Sequence, residues 1–460
     1  MSASSMAPAK TRPHFLSTRN ACKLCAPLGA CLALRGIEGA IPFLHGSQGC
    51  ATYMRRYIIS HFREPMDIAA SNFNETSAIF GGGDNLHLGL HNVTAQYHPA
   101  LIGIATTCLT ETIGEDVERL LGEYRTANAD SELPELFATS TASYRGTHVD
   151  GFHATVRSAV GALAQAGERQ RRINVLPGMV SPADLRYLKE IFEDFDVPLT
   201  LLPDYSETLD GPALANYAKI PAGGTPAAAI RAMGGALATL EFGRTLAAHK
   251  TAGALLEERF GVACHRLGLP IGVQETDRLY QSIEKLSGAP TPASHQLERG
   301  RLIDAYVDGH KYVFGKRAIV YGDEDLVVGL TAFLSEIGIT PVLCASGGES
   351  RLLARAIDEV TDGAAAAGII RVQEGADFMD IGEEAAELKP DLLIGNSKGY
   401  ASARHLGVPL IRVGFPIHDR IGGQRILHLG YRGAQRLFDE VVNTLLERKQ
   451  DDSSVGYSYM

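Results

Sequence analysis

Five of the seven cysteines fall in the first quarter of the chain: Cys22, Cys25, Cys31, Cys50 and Cys108. Cys22-Lys-Leu-Cys25 is a C-x-x-C, which by itself suits a zinc half-site or a redox pair. A zinc site wants a second close pair, and none follows. A thioredoxin-like pair follows the start of a βαβ unit, and the residues upstream offer none. Cys25, Cys50 and Cys108 lie too far apart for a local ferredoxin-type run. Two readings of these three remain: buried structural thiols, since free cysteine is a common core residue, or ligands brought together by the fold. Their settings favour the second. Cys25 precedes Ala-Pro-Leu-Gly, Cys50 follows Gly-Ser-Gln-Gly, and Cys108 follows the apolar run Leu101 to Ala105. All three are loop-like places where backbone approaches a large inorganic core. Cys31, inside Ala30-Cys-Leu-Ala-Leu, reads as helix core, and Cys264 and Cys344 as buried structural thiols.

The elements that must position these residues follow an α/β rhythm. Leu101 to Ala105 is a short buried strand with Thr106-Thr-Cys108 at its carboxyl end, where open α/β sheets carry ligands. Glu115 begins an amphipathic helix, Leu136 to Thr139 is the next strand, and Gly151 to Ala166 a further helix. Strands are expected at Arg172 to Gly178, Pro198 to Pro203, Lys316 to Gly322, Pro341 to Cys344, Ile369 to Val372, Asp391 to Gly395 and Pro409 to Val413. Ser181-Pro-Ala-Asp is a helix start with Ser as cap and Pro at the first position. Helices follow at Leu185 to Phe195, Gly253 to Phe260, Gln296 to His310, Asp325 to Ile337 and Gly430 to Arg448. The fold class is α/β, with three Rossmann-like doubly wound domains around parallel sheets. Their expected spans are 12–168, which holds the cysteines, 169–290 and 291–460, after a disordered tail at 1–11.

Composition narrows the function. Hydrophobic residues make up 45% and charged residues 21% of the chain, as in globular proteins with large cores. The formal net charge of −10 and the lack of a basic stripe argue against a nucleic-acid partner. No apolar run approaches the ~20 residues of a membrane span, and the first dozen residues lack the apolar core of a secretory signal. A cytoplasmic protein with cysteines as thiols or metal ligands is expected. Phe80-Gly-Gly-Gly-Asp resembles a phosphate loop but lacks its Gly-Lys-Ser/Thr ending, so nucleotide binding by this chain is not expected.

A set of longer motifs resembles the β-subunit side of nitrogenase component 1. They are Cys25-Ala-Pro-Leu-Gly-Ala, His45-Gly-Ser-Gln-Gly-Cys50, His61-Phe-Arg-Glu-Pro, Phe80-Gly-Gly-Gly, Thr106-Thr-Cys108-Leu-Thr-Glu-Thr-Ile-Gly, Ser143-Tyr-Arg-Gly-Thr-His-Val-Asp-Gly-Phe152 and Arg412-Val-Gly-Phe-Pro-Ile-His-Asp-Arg420. They occur in order over nearly the whole chain. The resemblance implies an α2β2 heterotetramer with an α-type subunit and an [8Fe-7S] P-cluster at each α/β interface. Cys25, Cys50 and Cys108 match the β-side ligands, and Ser143 matches a redox-dependent one. The large Fe-S cofactor is implied to sit in the partner, so no catalytic residue is expected in this chain. An ATP-dependent [4Fe-4S] reductase is implied to dock near Phe80.

Two kinds of β-type member fit. One is the electron-transfer subunit of a reductase, either nitrogenase itself or a nitrogenase-like enzyme such as methylthio-alkane reductase. The other is the scaffold for iron-molybdenum cofactor assembly, with [4Fe-4S] in place of the P-cluster. The full set of three cysteines and the serine favours the reductase. Shortness, and middle and C-terminal stretches that resemble the scaffold, argue against ordinary molybdenum nitrogenase.

Other residues have two readings each. His45 either hydrogen-bonds toward the cluster or braces its own loop. Glu111 and Asp116 are proton carriers or helix-start carboxylates. Gly395-Asn-Ser-Lys-Gly399 is read as a structural turn. Arg317, Lys398, Arg412, His418 and Arg420 form an anion pocket or a salt-bridged loop network. Cys22 is an alternative ligand or a bystander facing the core.

Overall fold

The computed structural model describes residues 20–247 and 250–455. The tail expected at 1–11 lies outside them. Among the described residues, thirteen strands form three wholly parallel sheets. In the first sheet β1 (Ala40–His45), β2 (Ala69–Ala70), β3 (Leu101–Thr106) and β4 (Glu135–Thr139) stand in the order β2-β1-β3-β4. The second holds β5 (Gln170–Leu176), β6 (Leu199–Leu201), β7 (Ala236–Phe242) and β8 (Cys264–Leu267) as β6-β5-β7-β8. The third holds β9 (Arg317–Gly322), β10 (Thr340–Ser346), β11 (Arg371–Gln373), β12 (Leu392–Gly395) and β13 (Leu410–Arg412) as β11-β10-β9-β12-β13. The mixed helix-and-strand pattern and parallel pairing are those of Rossmann-like units.

Unbroken apolar strands explain the pairing. β3 is buried at every position, which suits a strand covered by helices on both faces. β1 is equally buried although Pro42 stands inside it, opposite Gly103.

Around the first sheet lie α1 (Ala26–Arg35), α2 (Gln48–Phe62), α3 (Glu75–Phe80), α4 (Gly83–Tyr97), α5 (Cys108–Ile113), α6 (Val117–Ala127) and α7 (His148–Leu163). α1 and α7 approach as closely as helices can. A Cβ at Gly29 would stand 1.7 Å from the His148 carbonyl oxygen, and one at Gly151 would stand 1.9 Å from that of Ala26. One hydrophobic cluster then runs through all three units, from Leu44 and Ala105 through Val175 and Leu240 to Val320 and Cys344. No helix among the described residues is long and apolar enough to cross a membrane.

Candidate metal centre

The three cysteines singled out by sequence come from three connections that the first sheet brings to one edge. β1 and β3 are neighbours, with His45 opposite Thr106. Cys50 lies in the first turn of α2, just past β1, and Cys108 opens α5, just past β3. Cys25 caps the start of α1 and is bridged to Thr147, in the loop that follows β4. Each thiol therefore sits at a helix start, where peptide N–H groups favour negative charge.

Ser143 ties two of them together. Its Oγ accepts from the Ala26 N–H at 3.2 Å, beside Cys25, and its N–H donates to Cys108 Sγ at 3.3 Å. Ser47 Oγ donates to Cys50 Sγ at 3.6 Å. Cys25 and Cys50 are half-buried and Cys108 is exposed, so all three can be reached from outside the chain.

The other thiols lie elsewhere. Cys22 turns away from Cys25 into the apolar cluster of the third sheet, among Ile319, Tyr321 and Leu343. Burial, with the nearby charge of Asp323, pushes its thiol up to about 12. Cys31 is wholly buried in α1, and burial raises its thiol strongly. Cys344 is also buried, 3.1 Å from Thr331 Oγ1, and pushed up to about 12. Cys264 is half-buried rather than buried, because it edges β8 next to Glu241. The C-x-x-C is thus two thiols with opposite directions.

Side chains between the strand ends hold the site's floor. His45 is buried, with Nδ1 3.0 Å from Ser71 Oγ and Nε2 2.5 Å from Glu115 Oε2. Its ring is committed to bracing, the second of its two sequence readings. The other Glu115 oxygen accepts from the Gly82 N–H, which fastens the Phe80-Gly-Gly-Gly turn to the end of β1. Thr107 Oγ1 donates to the His45 carbonyl at 3.1 Å, and Thr110 Oγ1 donates to the same oxygen. Glu111 accepts from Thr106 Oγ1 at 2.6 Å and Ser140 Oγ at 2.7 Å, and its other oxygen pairs with Arg145 at 3.3 Å. Glu111 is therefore a clasp between the loops after β3 and β4. Asp116 caps α6 through the Arg119 N–H. The bracing roles of Glu115 and Thr110 have no signal in the sequence. The Thr147-x-x-Asp150 pattern marks the start of α7 as a capping box.

The basic residues near the C-terminus form a loop network. Arg412 forks onto Asp419, which also meets Arg420. Lys398 donates to the Ala21 carbonyl, Arg317 to that of Leu388, and His418 packs edge-on to Tyr57. The Gly395-to-Gly399 stretch is a structural turn, with Asn396 capping it and its carbonyl held by Tyr321 Oη at 2.7 Å.

Three thiols are a soft donor set suited to iron–sulfur chemistry, with the harder Ser143 hydroxyl beside them. Among the described residues, no three His, Cys, Asp or Glu converge closely enough to hold one metal ion. Exposed apolar side chains stand on the same elements: Tyr53 on α2, Ile79 and Phe80 on α3, Leu109 on α5 and Tyr144 beside Ser143.

The profile of the family named Nitrogenase component 1 type Oxidoreductase matches residues 25–446. The nitrogenase molybdenum-iron protein beta chain of Clostridium pasteurianum is 36% identical over 430 residues, 93% of either chain. That of Methanothermobacter thermautotrophicus is 37% identical, over 92% of this chain and 93% of that one. The solved structure described as nitrogenase Cp1 at pH 6.5 superposes with a TM-score of 0.93 at 34% identity, over 98% of this chain and 99% of its own. The Clostridium chain is covered almost end to end, so shortness does not set this sequence apart from molybdenum-iron β chains. The chain belongs to the nitrogenase component 1 type oxidoreductases and is of their β-subunit type.

Proposed function

We propose that this chain is the electron-transfer subunit of a nitrogenase-like reductase. Cys25, Cys50 and Cys108 hold a P-cluster-type iron–sulfur group at the interface with an α-type subunit, and Ser143 is the redox-dependent fourth ligand. The observation that carries the reading is that the fold brings three reachable thiols to one sheet edge. A set so arranged is half of a larger set, completed by another chain.

When bound, the group supplies one-electron storage at a potential set by burial and by hydrogen bonds to sulfur. This chain's residues set those terms. The Ser143 N–H and Ser47 Oγ donate to two of the sulfurs, and the Tyr53 and Leu109 side chains stand exposed beside them. The reductase meets the chain at Phe80, 82% exposed, and the large cofactor that reduces substrate belongs to the α-type partner of an α2β2 assembly. Nitrogenase β chains being the relatives found, N2 and methylthio-alkanes are the substrate classes to assay first.

Replacing Cys108 with Ala in the complex tests the assignment. The variant is expected to lose interface iron and reductase-driven turnover, with the α-type subunit still bound. Full iron and unchanged turnover would remove Cys108 from the ligand set.

A further inference from the structure

His148 lies where three parts of the chain meet. Its backbone N–H donates to the Leu24 carbonyl at 3.0 Å, and its ring Nδ1 accepts from the Leu24 N–H at 3.3 Å. Both hydrogen-bonding groups of the residue before Cys25 are therefore held by one histidine, itself 2% exposed. Since Nδ1 accepts, the ring proton sits on Nε2. That nitrogen stands 3.1 Å from Asp323 Oδ1, and Asp323 begins the helix Glu324–Glu336 at the carboxyl end of β9. The third unit thus sets a carboxylate beside a ring that grips the first unit's cysteine strap.

The other holds on that strap flank Leu24: the Ala26 N–H donates to Ser143 Oγ at 3.2 Å, and the Cys22 N–H to the Ala376 carbonyl at 3.3 Å. Cys25 has no side-chain capping bond to α1. Lys23 makes only an exposed contact with Glu349 at 3.3 Å. Cys22 is drawn the other way, into the third core. Leu24 is the turning point between these two opposed thiols, and His148 holds it.

We propose that His148 is the positioning residue for Cys25. It fixes the backbone from which the thiol projects, through its two hydrogen bonds to Leu24. The consequence for the cluster rests on Cys25 being a ligand; the positioning itself does not.

The test compares His148→Leu, which loses the grip on Leu24, with His148→Asn, whose Oδ1 occupies the place of Nδ1 and can accept the same N–H. In the metal-free full chain, iodoacetamide labelling of each cysteine is followed by mass spectrometry. Labelling of Cys25 is expected to rise about fivefold in His148→Leu, the factor that one buried hydrogen bond is worth. Cys108 is expected to stay at the wild-type rate, and His148→Asn to return Cys25 toward it. In the complex, the midpoint potential of the interface cluster is expected to move in His148→Leu and to stay in His148→Asn. Should the leucine variant fail to fold, His148→Ser, too short to reach Leu24, takes its place. Equal acceleration of Cys25 and Cys108, an unchanged Cys25, or an asparagine variant no better than leucine would overturn the proposal. Selective labelling of Cys25 in a complex without iron would uphold the positioning and sink the ligand reading.

Discussion

Burial decides what the histidines of the first unit do. His61 is buried beneath Phe62 and Phe415, and its Nδ1 accepts from the Ile417 N–H at 2.9 Å. Burial, abetted by the charges of His418 and Arg63, lowers its pKa to about 3. The folded value lies below the unfolded one, so the unfolded chain binds the extra proton. The stabilisation from a neutral His61 is full above the unfolded value near 6.5 and is lost as pH falls toward 3. From pH 7 to pH 5 this group alone should cost about 2 kcal/mol. His61→Asn keeps an acceptor for Ile417 but does not titrate. Unfolding free energies at the two pH values should therefore show the gap between wild type and variant narrowing by that amount on acidification. An unchanged gap would mean that the ring is protonated in the folded chain. Burial also lowers the pKa of His45, against the pull of Glu115, in keeping with its service as a brace.

The contact between α1 and α7 sets how precisely the cysteine edge is built. Gly151 in α7 touches backbone rather than a movable side chain, so Gly151→Ala has no room and must part the helices. Overpacking of this kind costs about 3 kcal/mol. We expect a lower melting temperature together with faster labelling of Cys25, and a wild-type melting curve would contradict the close approach. Some of this was readable in the sequence. β3 and the Ala318-to-Tyr321 stretch of β9 are apolar runs, and Ser181-Pro-Ala-Asp did start a helix with a full capping box. β1 escaped because Pro42 argues against a central strand, though its neighbours bury it all the same. α2 escaped because only Ala51, Met54, Ile58, His61 and Phe62 of it are buried, too weak a stripe to see amid Arg55, Arg56 and Tyr57. The helix Val273–Ser287, with Leu279, Tyr280 and Ile283 inward, carried a clear helical period and was passed over. The candidate ligands were legible one by one from their glycine- and proline-flanked settings. Their meeting was not, because it depends on β1 and β3 being neighbours across more than fifty intervening residues. Nor does spacing reveal that Cys22 and Cys25 face opposite ways.

Three parallel sheets share one apolar cluster that reaches all of them, with the thiol edge and an exposed apolar rim on the first unit. Phe80 and Ile79 are the most exposed of that rim, and Gly82, two residues on, is fastened through Glu115 to His45. Docking there would act on a turn already wired to the floor of the thiol site. Phe80→Ala should raise the apparent KM for the reductase about tenfold, as loss of an interface anchor does, and leave iron content and melting unchanged. Normal reductase kinetics would move the docking face elsewhere. The central claim is that this edge holds half of a polynuclear iron–sulfur group. Its most direct test is the iron and sulfide content and redox-titrated EPR of the chain purified anaerobically with its α-type partner. Roughly eight irons at the interface and a P-cluster-like signal on oxidation, beside a second large cluster, are expected. A plain [4Fe-4S] signal with a loosely held second cluster would make the chain an assembly scaffold, and a complex without iron would contradict the account altogether.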